Sequence, residues 1–319
     1  PLEMAIHHDA ALGSTTLYVA AFGSGKIGIF DTAALEADSF TPDQNQQIGL
    51  SAGGPCGIAI SSDGSTLYVM TRFDNGISVV DTASRSETHH LTLHNPEPSN
   101  VVAGRPFLYD ALATSANGAE SCSSCHTFGD MDHLGWNLGN PDEEVTSNPM
   151  PINFEPLFQF FSLAGLDIDA LNGGAAPDEF HSMKGVMTTQ TLKSLVNSGA
   201  MHWRGDRSNG VFGIDATDTT LSFNNFIVAF SGLVGRSSDL TPVQMQAFTD
   251  FALAMTLGPN PVRNLDNSLT ASQQGGFDFY FGPRRSDGLV DTPGLGNVDE
   301  GFTCDGCHEL NPGLGRFGT

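Results

Sequence analysis

The sequence predicts an α+β multidomain protein: an N-terminal antiparallel β segment followed by a mostly α-helical, loop-rich region. Three observations predict it. Residues 1–95 carry an internal repeat of short strand-like segments. A stretch containing Pro and Gly ends that pattern, and helix-start signals follow it. Four of the five cysteines fall in two Cys-x-x-Cys-His motifs set in loop-rich sequence. The 319 residues suffice for more than one domain, and 37 Gly with 17 Pro suit loops better than a continuous helical bundle.

One copy of the repeat reads Thr16-Leu17-Tyr18-Val19-Ala20, then Gly28-Ile29-Phe30-Asp31-Thr32-Ala33. The other, 50 residues later, reads Thr66-Leu67-Tyr68-Val69-Met70, then Gly76-Ile77-Ser78-Val79-Val80-Asp81-Thr82-Ala83. Each copy holds two strands rich in β-branched and aromatic residues. Asp63-Gly64 and Asn75-Gly76 mark turns, and Gly57-Ile58-Ala59-Ile60 adds a strand before the second copy. The period falls in the range of propeller blades. The copies resemble the β-propeller repeats named for a Tyr-Val-Thr-Asn signature, here drifted to Tyr-Val-Ala-Ala and Tyr-Val-Met-Thr. Two repeats cannot close a ring. The resemblance therefore implies about two blades of a partial propeller over 1–95, or a small open sheet packed on something else. His89, His90 and His94 read as polar residues at a strand edge.

Residues 96–106, from Pro96-Glu97-Pro98 to Gly104-Arg105-Pro106, read as a linker. Helices are expected at 106–116, 122–127, 188–198, 220–233, 242–256 and 270–281. The clearest start is Thr241-Pro242, with Thr at the N-cap and Pro at the first helical position. Thr270-Ala271-Ser272-Gln273 opens a second such segment, which ends at Phe281. The stretches 128–153 and 282–300 read as loops.

The motifs are Cys122-Ser123-Ser124-Cys125-His126 and Cys304-Asp305-Gly306-Cys307-His308. This spacing suits covalent c-type haem. Two thioethers fix the porphyrin edge, and the adjacent His turns its imidazole onto the iron. A redox dithiol, a disulfide and a zinc site compete with that reading. A dithiol does not need a His after both pairs, and a four-Cys zinc site needs the pairs to converge. Small helices joined by long loops fit cytochrome c domains, where the haem supplies much of the core. The expected layout is a first haem domain over 96–260 and a second, truncated one over 261–319. The expected cofactors are two covalently bound haem c groups, with calcium as a further candidate ion. Cys56 is left over, as a buried inert thiol or a free reactive one.

Blocks around the first motif resemble the bacterial di-haem cytochrome c peroxidase and MauG-like superfamily. They are Gly104-Arg105-Pro106-Phe107-Leu108-Tyr109-Asp110 before the motif, His181-Ser182-Met183-Lys184-Gly185, Thr189-Gln190-Thr191-Leu192-Lys193, and His202-Trp203-Arg204-Gly205-Asp206-Arg207. The resemblance covers roughly 104–310. It implies that His181 is the sixth ligand of the first haem and that Trp203 lies between the two haems, as the candidate for inter-haem electron transfer. This sequence departs from the family's pattern in three places. Gln190 replaces a Pro, His181 is one residue closer to the Lys-Gly pair, and His202 replaces an apolar residue before the Trp. His202, His133, Met183 and Met187 are the alternative sixth ligands. Arg204 and Arg207 suit haem propionates. On the second iron His308 is assigned. Its other side is open, filled by an upstream residue such as His202, or filled by another chain, for which His7 and His8 are candidates.

Against 36 acidic residues stand 13 Lys and Arg, a formal net charge of −23. That balance makes nucleic acid and anionic membrane surfaces poor partners, and no apolar run reaches the roughly 18 residues of a membrane span. The chain begins at Pro1 without a visible signal peptide. Because c-type haem is attached outside the cytoplasm, a periplasmic or extracellular location is expected, as a processed or partial piece of a longer secreted protein. The expected function is extracytoplasmic electron transfer, with redox proteins or other copies of the chain as partners. The alternative is a peroxidase or MauG-like oxidoreductase acting on hydrogen peroxide or a protein substrate. The repeat region can serve either role as a binding or scaffold module.

Overall fold

A computed structural model describes residues 1–138, 186–196, 218–266 and 268–281, together with Glu144, Met201 and short strands at 146–147, 179–180, 310–311 and 316–317. The N-terminal part is two antiparallel four-stranded sheets. The first has the order β1 (Met4–Asp9), β2 (Ser14–Ala21), β3 (Lys26–Asp31), β4 (Gln47–Gly49), with the five-residue helix α1 (Thr32–Glu36) between β3 and β4. The second has the order β5 (Pro55–Ile60), β6 (Thr66–Thr71), β7 (Gly76–Asp81), β8 (Ser86–Thr92). The two copies of the repeat adopt the same register: Leu17 faces Phe30 as Leu67 faces Val80. Asn75 closes the β6–β7 turn at φ +58°, a left-handed position that Asn tolerates.

One core joins the sheets. Tyr18, Ala20, Ile27 and Ile48 of the first meet Leu67, Val69 and Val80 of the second. The copies bury opposite faces. Tyr18 is buried while its equivalent Tyr68 is 48% exposed, and Leu67 is fully buried while Leu17 is half-buried. The front of one copy therefore packs on the back of the other. In place of a β-propeller, which needs about four or more blades closed around a channel, the described residues form two four-stranded sheets over one shared core.

The expected linker is largely helix. Pro98 precedes α2 (Ser99–Tyr109), and Pro106 lies inside it. Asp110 then caps α3 (Ala111–Thr114), its Oδ1 accepting from Leu112 N at 2.9 Å and Ala113 N at 3.2 Å. The helical part continues with α4 (Thr219–Asn224), α5 (Ala229–Gly232), α6 (Pro242–Ala254) and α7 (Ala271–Phe281). Thr241 and Gln244 form the capping box that opens α6. Thr270 and Gln273 are bonded the same way ahead of α7. The segment expected as a helix at 188–198 instead begins with a strand, Val186–Thr188, and turns at Ser194, φ +59°.

α2 packs on α6 through Gly104, where any Cβ would strike the Ala247 carbonyl. Phe248 is the hub of this core, ringed by Phe107, Phe223 and Phe230, with Leu108 fully buried beside it. The β part docks through one ionic cluster and one aromatic row. The Glu97 carboxylate accepts from both terminal guanidinium nitrogens of Arg72, each at 2.9 Å, and from Arg105 Nη2 at 2.6 Å. The Arg105 side chain is 5% exposed, also donates to the Arg72 carbonyl at 3.0 Å, and lies 5.9 Å over the Phe251 ring. Phe73, Phe22, Tyr109 and Phe251 follow edge to face, with centroids 5.2 to 6.3 Å apart.

Hydrogen bonds from Arg72, then from Arg105, outweigh burial and hold Glu97 at about 2 instead of 4.5. A carboxylate depressed in the folded state stabilises fully above its unfolded value. This contribution is therefore expected to fade as pH falls from 4.5 towards about 2. Glu97→Ala strands the buried Arg105 and should cost about 2–3 kcal/mol near neutral pH. Urea unfolding at pH 7 and at acid pH checks both statements. A loss within about 0.5 kcal/mol at neutral pH would show the cluster to be an ordinary surface contact.

Candidate functional site

The first Cys-x-x-Cys-His motif is a tight turn. Cys122–Ser124 is one 3₁₀ turn, and the amides of Cys125 and His126 donate back to the Cys122 carbonyl at 3.3 and 2.9 Å. The Ser124 hydroxyl closes the start by accepting from Ser121 N at 3.1 Å. Cys122 packs against the helical core formed by Leu108 and Phe248. After His126 the chain reverses through two left-handed residues, Phe128 at φ +52° and Gly129 at φ +74°. Phe128 carries the strain of that conformation, and a Cβ at Gly129 would meet Met255 Sδ.

The segment 186–196 is laid along this turn. Strand β9 (Gly135–Asn137) pairs with Val186–Thr188, Thr189 N donates to Leu134 O at 3.3 Å, and Leu192 N donates to Gly129 O at 2.8 Å. Between these bonds the Gln190 carbonyl lies 2.7 Å from His126 Nδ1. A carbonyl can only accept, so Nδ1 carries the proton. The tautomer is thereby fixed and Nε2 keeps a free lone pair.

The electrostatics favour neutral groups. Burial pushes the Cys122 thiol up to about 11. Cys125 is also raised, by burial and then by the carboxylates of Asp132 and Glu120. Burial lowers His126, against the opposing effects of the Gln190 carbonyl and Asp132. Reactive dithiols and thiolate metal ligands need the opposite, a depressed thiol. The half-buried Cys56 thiol, which donates to Met70 O at 3.6 Å, is likewise raised by burial. Beside the motif Phe128, Met131, Leu134, Trp136 and Val186 expose apolar surface. Among the described residues no group of three or more His, Cys, Asp or Glu is placed to hold a metal ion, so the candidate calcium has no such cluster there.

Of the other predicted site residues, Cys304, Cys307, His308, His181, Met183, His202, Trp203, Arg204 and Arg207 lie outside the described residues. Met187 is half-buried opposite Trp136, and His133 is exposed at φ +60°. His7 lies against the Gly64 turn and His8 bonds Thr15 Oγ1 at 2.9 Å. His90 is clamped between Asp74, 2.6 Å from Nε2, and Glu87, 3.3 Å from Nδ1. Sequence reasoning missed the Gln190 carbonyl and the pair Lys193 Nζ–Asp130 Oδ2 at 2.7 Å. No sequence signal marks a backbone acceptor 64 residues away.

The site is thus a Cys-x-x-Cys-His loop braced by a distant strand, on a helical part docked to two β-sheets. No protein-family model matches the chain. Hydrazine synthase subunit gamma of Kuenenia stuttgartiensis is 26% identical over 202 residues, 62% of this chain and 44% of that protein, so the chain spans less than half of that relative. The structure of Kuenenia stuttgartiensis hydrazine synthase pressurised with 20 bar xenon matches with a TM-score of 0.38 and 20% identity, covering 69% of this chain and 51% of that one. A second hydrazine synthase structure gives 0.22 and 19%, over 28% and 24%. The relative corrects the expected family, since it is a hydrazine synthase subunit and not a di-haem peroxidase or MauG-like protein. The block that suggested the peroxidases has packing roles here. Gly104 admits α6, Arg105 joins the ionic cluster, Leu108 fills the core and Asp110 caps α3.

In the bare polypeptide, Cys122 is expected to alkylate more slowly than Cys125 at about pH 8, with a rate that climbs towards pH 11. Peptide-mapped iodoacetamide kinetics measure this. Rapid reaction of Cys122 at neutral pH would identify a redox dithiol instead.

Proposed function

We propose that this chain is a c-type haem subunit that carries electrons within a multi-subunit oxidoreductase related to hydrazine synthase. The observation that carries the reading is the bond from His126 Nδ1 to the Gln190 carbonyl, 2.7 Å long. Metal-ligating histidines use that arrangement, because the second-shell acceptor orients the ring and raises the basicity of the other nitrogen. Two neutral thiols at the required spacing and the exposed apolar side chains beside them also suit a covalently held, largely apolar macrocycle. Cys122, Cys125 and His126 would hold one haem, and Cys304, Cys307 and His308 a second. When bound, such a group supplies a one-electron iron couple.

The chain's own part is to anchor, orient and shield. Core packing around Cys122 fixes one thioether position, and the Gln190 bond fixes the imidazole plane. Similarity to a protein that is itself a subunit favours other chains as partners. The net charge of −23 suits a basic docking face on one of them. No helix among the described residues is long and apolar enough to cross a membrane. Attachment of c-type haem would place the protein outside the cytoplasm.

Expressed with a haem c maturation system, the chain should carry two added haem masses in intact-mass spectrometry. Cys122→Ser with Cys125→Ser should leave one, and so should Cys304→Ser with Cys307→Ser. A wild-type chain of bare polypeptide mass, with no haem absorbance after denaturation, sinks the proposal.

A further inference from the structure

We infer that Asp130 and Lys193 are a positioning pair for His126, so that this ion pair sets the orientation of its imidazole; the inference rests on the haem reading above. Three contacts run in parallel between two short stretches. The His126 ring reaches Gln190 O, Gly129 O receives Leu192 N at 2.8 Å, and Asp130 Oδ2 receives Lys193 Nζ at 2.7 Å. Positions 126, 129 and 130 thus face 190, 192 and 193. Among the described residues, Asp130–Lys193 is the ion pair that spans these two stretches.

Asp130 is tied to its own side of the turn. Its amide donates to Thr127 O at 3.0 Å and its Oδ1 accepts from Met131 N at 2.9 Å. Lys193 is tied to the other side, where its amide donates to Thr191 Oγ1 at 3.2 Å and Ser194 N donates to Met255 O at 2.8 Å. The backbone that carries each charge is therefore held, and the attraction between the two side chains draws together the stretches in which the Gln190 carbonyl meets the imidazole. Without it, the backbone bonds at Thr189 and Leu192 and the weaker Thr191 Oγ1 contact at 3.5 Å remain across the seam near Gln190. All three are neutral, and charge-assisted bonds are roughly twice as strong. In this proposal Asp130 and Lys193 act through His126.

The variants are Lys193→Met, which keeps the stem and removes the charge, Lys193→Arg, which restores it, and Asp130→Asn. Two readouts are taken on the full chain. Histidine-selective nitrogen NMR on polypeptide without haem reports the His126 tautomer. Redox titration of the haem-loaded protein reports the potential of the first haem. Lys193→Met and Asp130→Asn should convert a predominantly Nδ1-protonated His126 into a tautomer mixture. They should also shift the oxidised-to-reduced ratio of that haem up to about tenfold towards reduced, as a less basic ligand requires. Lys193→Arg should restore both. Native values for the tautomer and the potential in Lys193→Met would overturn the inference, as would failure of Arg to restore them in a folded chain. If no haem attaches, the proposed function fails while the tautomer measurement still decides the pairing.

Discussion

One carboxylate between two guanidinium groups holds the two parts of this protein in register. Glu97 sits just before α2 and binds Arg72, from the β6–β7 turn, and Arg105, from the middle of α2. The chain has few cations to spend, 13 Lys and Arg against 36 acidic residues, and two of them converge here. Arg105 is nearly removed from solvent, a position that a guanidinium tolerates only when its donors are satisfied. Glu97, the Arg72 carbonyl and the face of Phe251 supply what water no longer does. The orientation of α2 against the sheets follows from that satisfaction more than from shape.

From α2 the constraint passes towards the motif in steps. Gly104 lets α6 approach to backbone contact, and the aromatic cluster around Phe248 locks the two helices together. Cys122 packs on the same core, so one end of the motif is fixed by α2 and α6. The C-terminus of α6 fixes the other end, because Met255 O accepts from Ser194 N and Leu257 N donates to Ser194 Oγ at 3.0 Å. Through Ser194 the segment carrying Gln190 inherits the position of α6. His126 is therefore oriented by elements distant in sequence, and each link is a hydrogen bond or a packed side chain.

The legible parts of this fold were those written in local chemistry. The two-strand repeats, the Asn75-Gly76 turn and the caps at Thr241 and Thr270 depend on neighbours in sequence, and the sheets and helices stand where those signals are. Residues 188–198 misled because Thr189 and Leu192 send their amides across to Leu134 and Gly129 instead of back along a helix. Residues 96–106 misled because Pro98 and Pro106 suggested a linker, whereas the first starts α2 and the second is accommodated within it. The propeller reading failed at the level of assembly. Both faces of the repeat strands are apolar, so alternation marks a strand without saying what covers each face. The peroxidase reading failed because Gly, Arg, Leu and Asp in that order also describe a helix that must pack closely, dock and stop.

The same distinction explains why the motif itself was visible and its bracing was not. Covalent chemistry dictates residue identity, so two cysteines and a histidine at fixed spacing announce themselves. Orientation is dictated by where a carbonyl oxygen lies, and every residue has one. Gln190 departs from the family pattern as a side chain, yet the group that bears on His126 is its backbone. The substitution and the interaction are therefore independent. The side chains that aim that carbonyl, Asp130 and Lys193, are ordinary surface charges in the sequence. They acquire meaning when the fold sets a four-residue span after the histidine against a three-residue span after the glutamine. A site of this kind keeps its reactive residues in one short loop and distributes its geometry over elements distant in sequence, so a substitution at Glu97 or Gly104, outside the motif, should disturb His126.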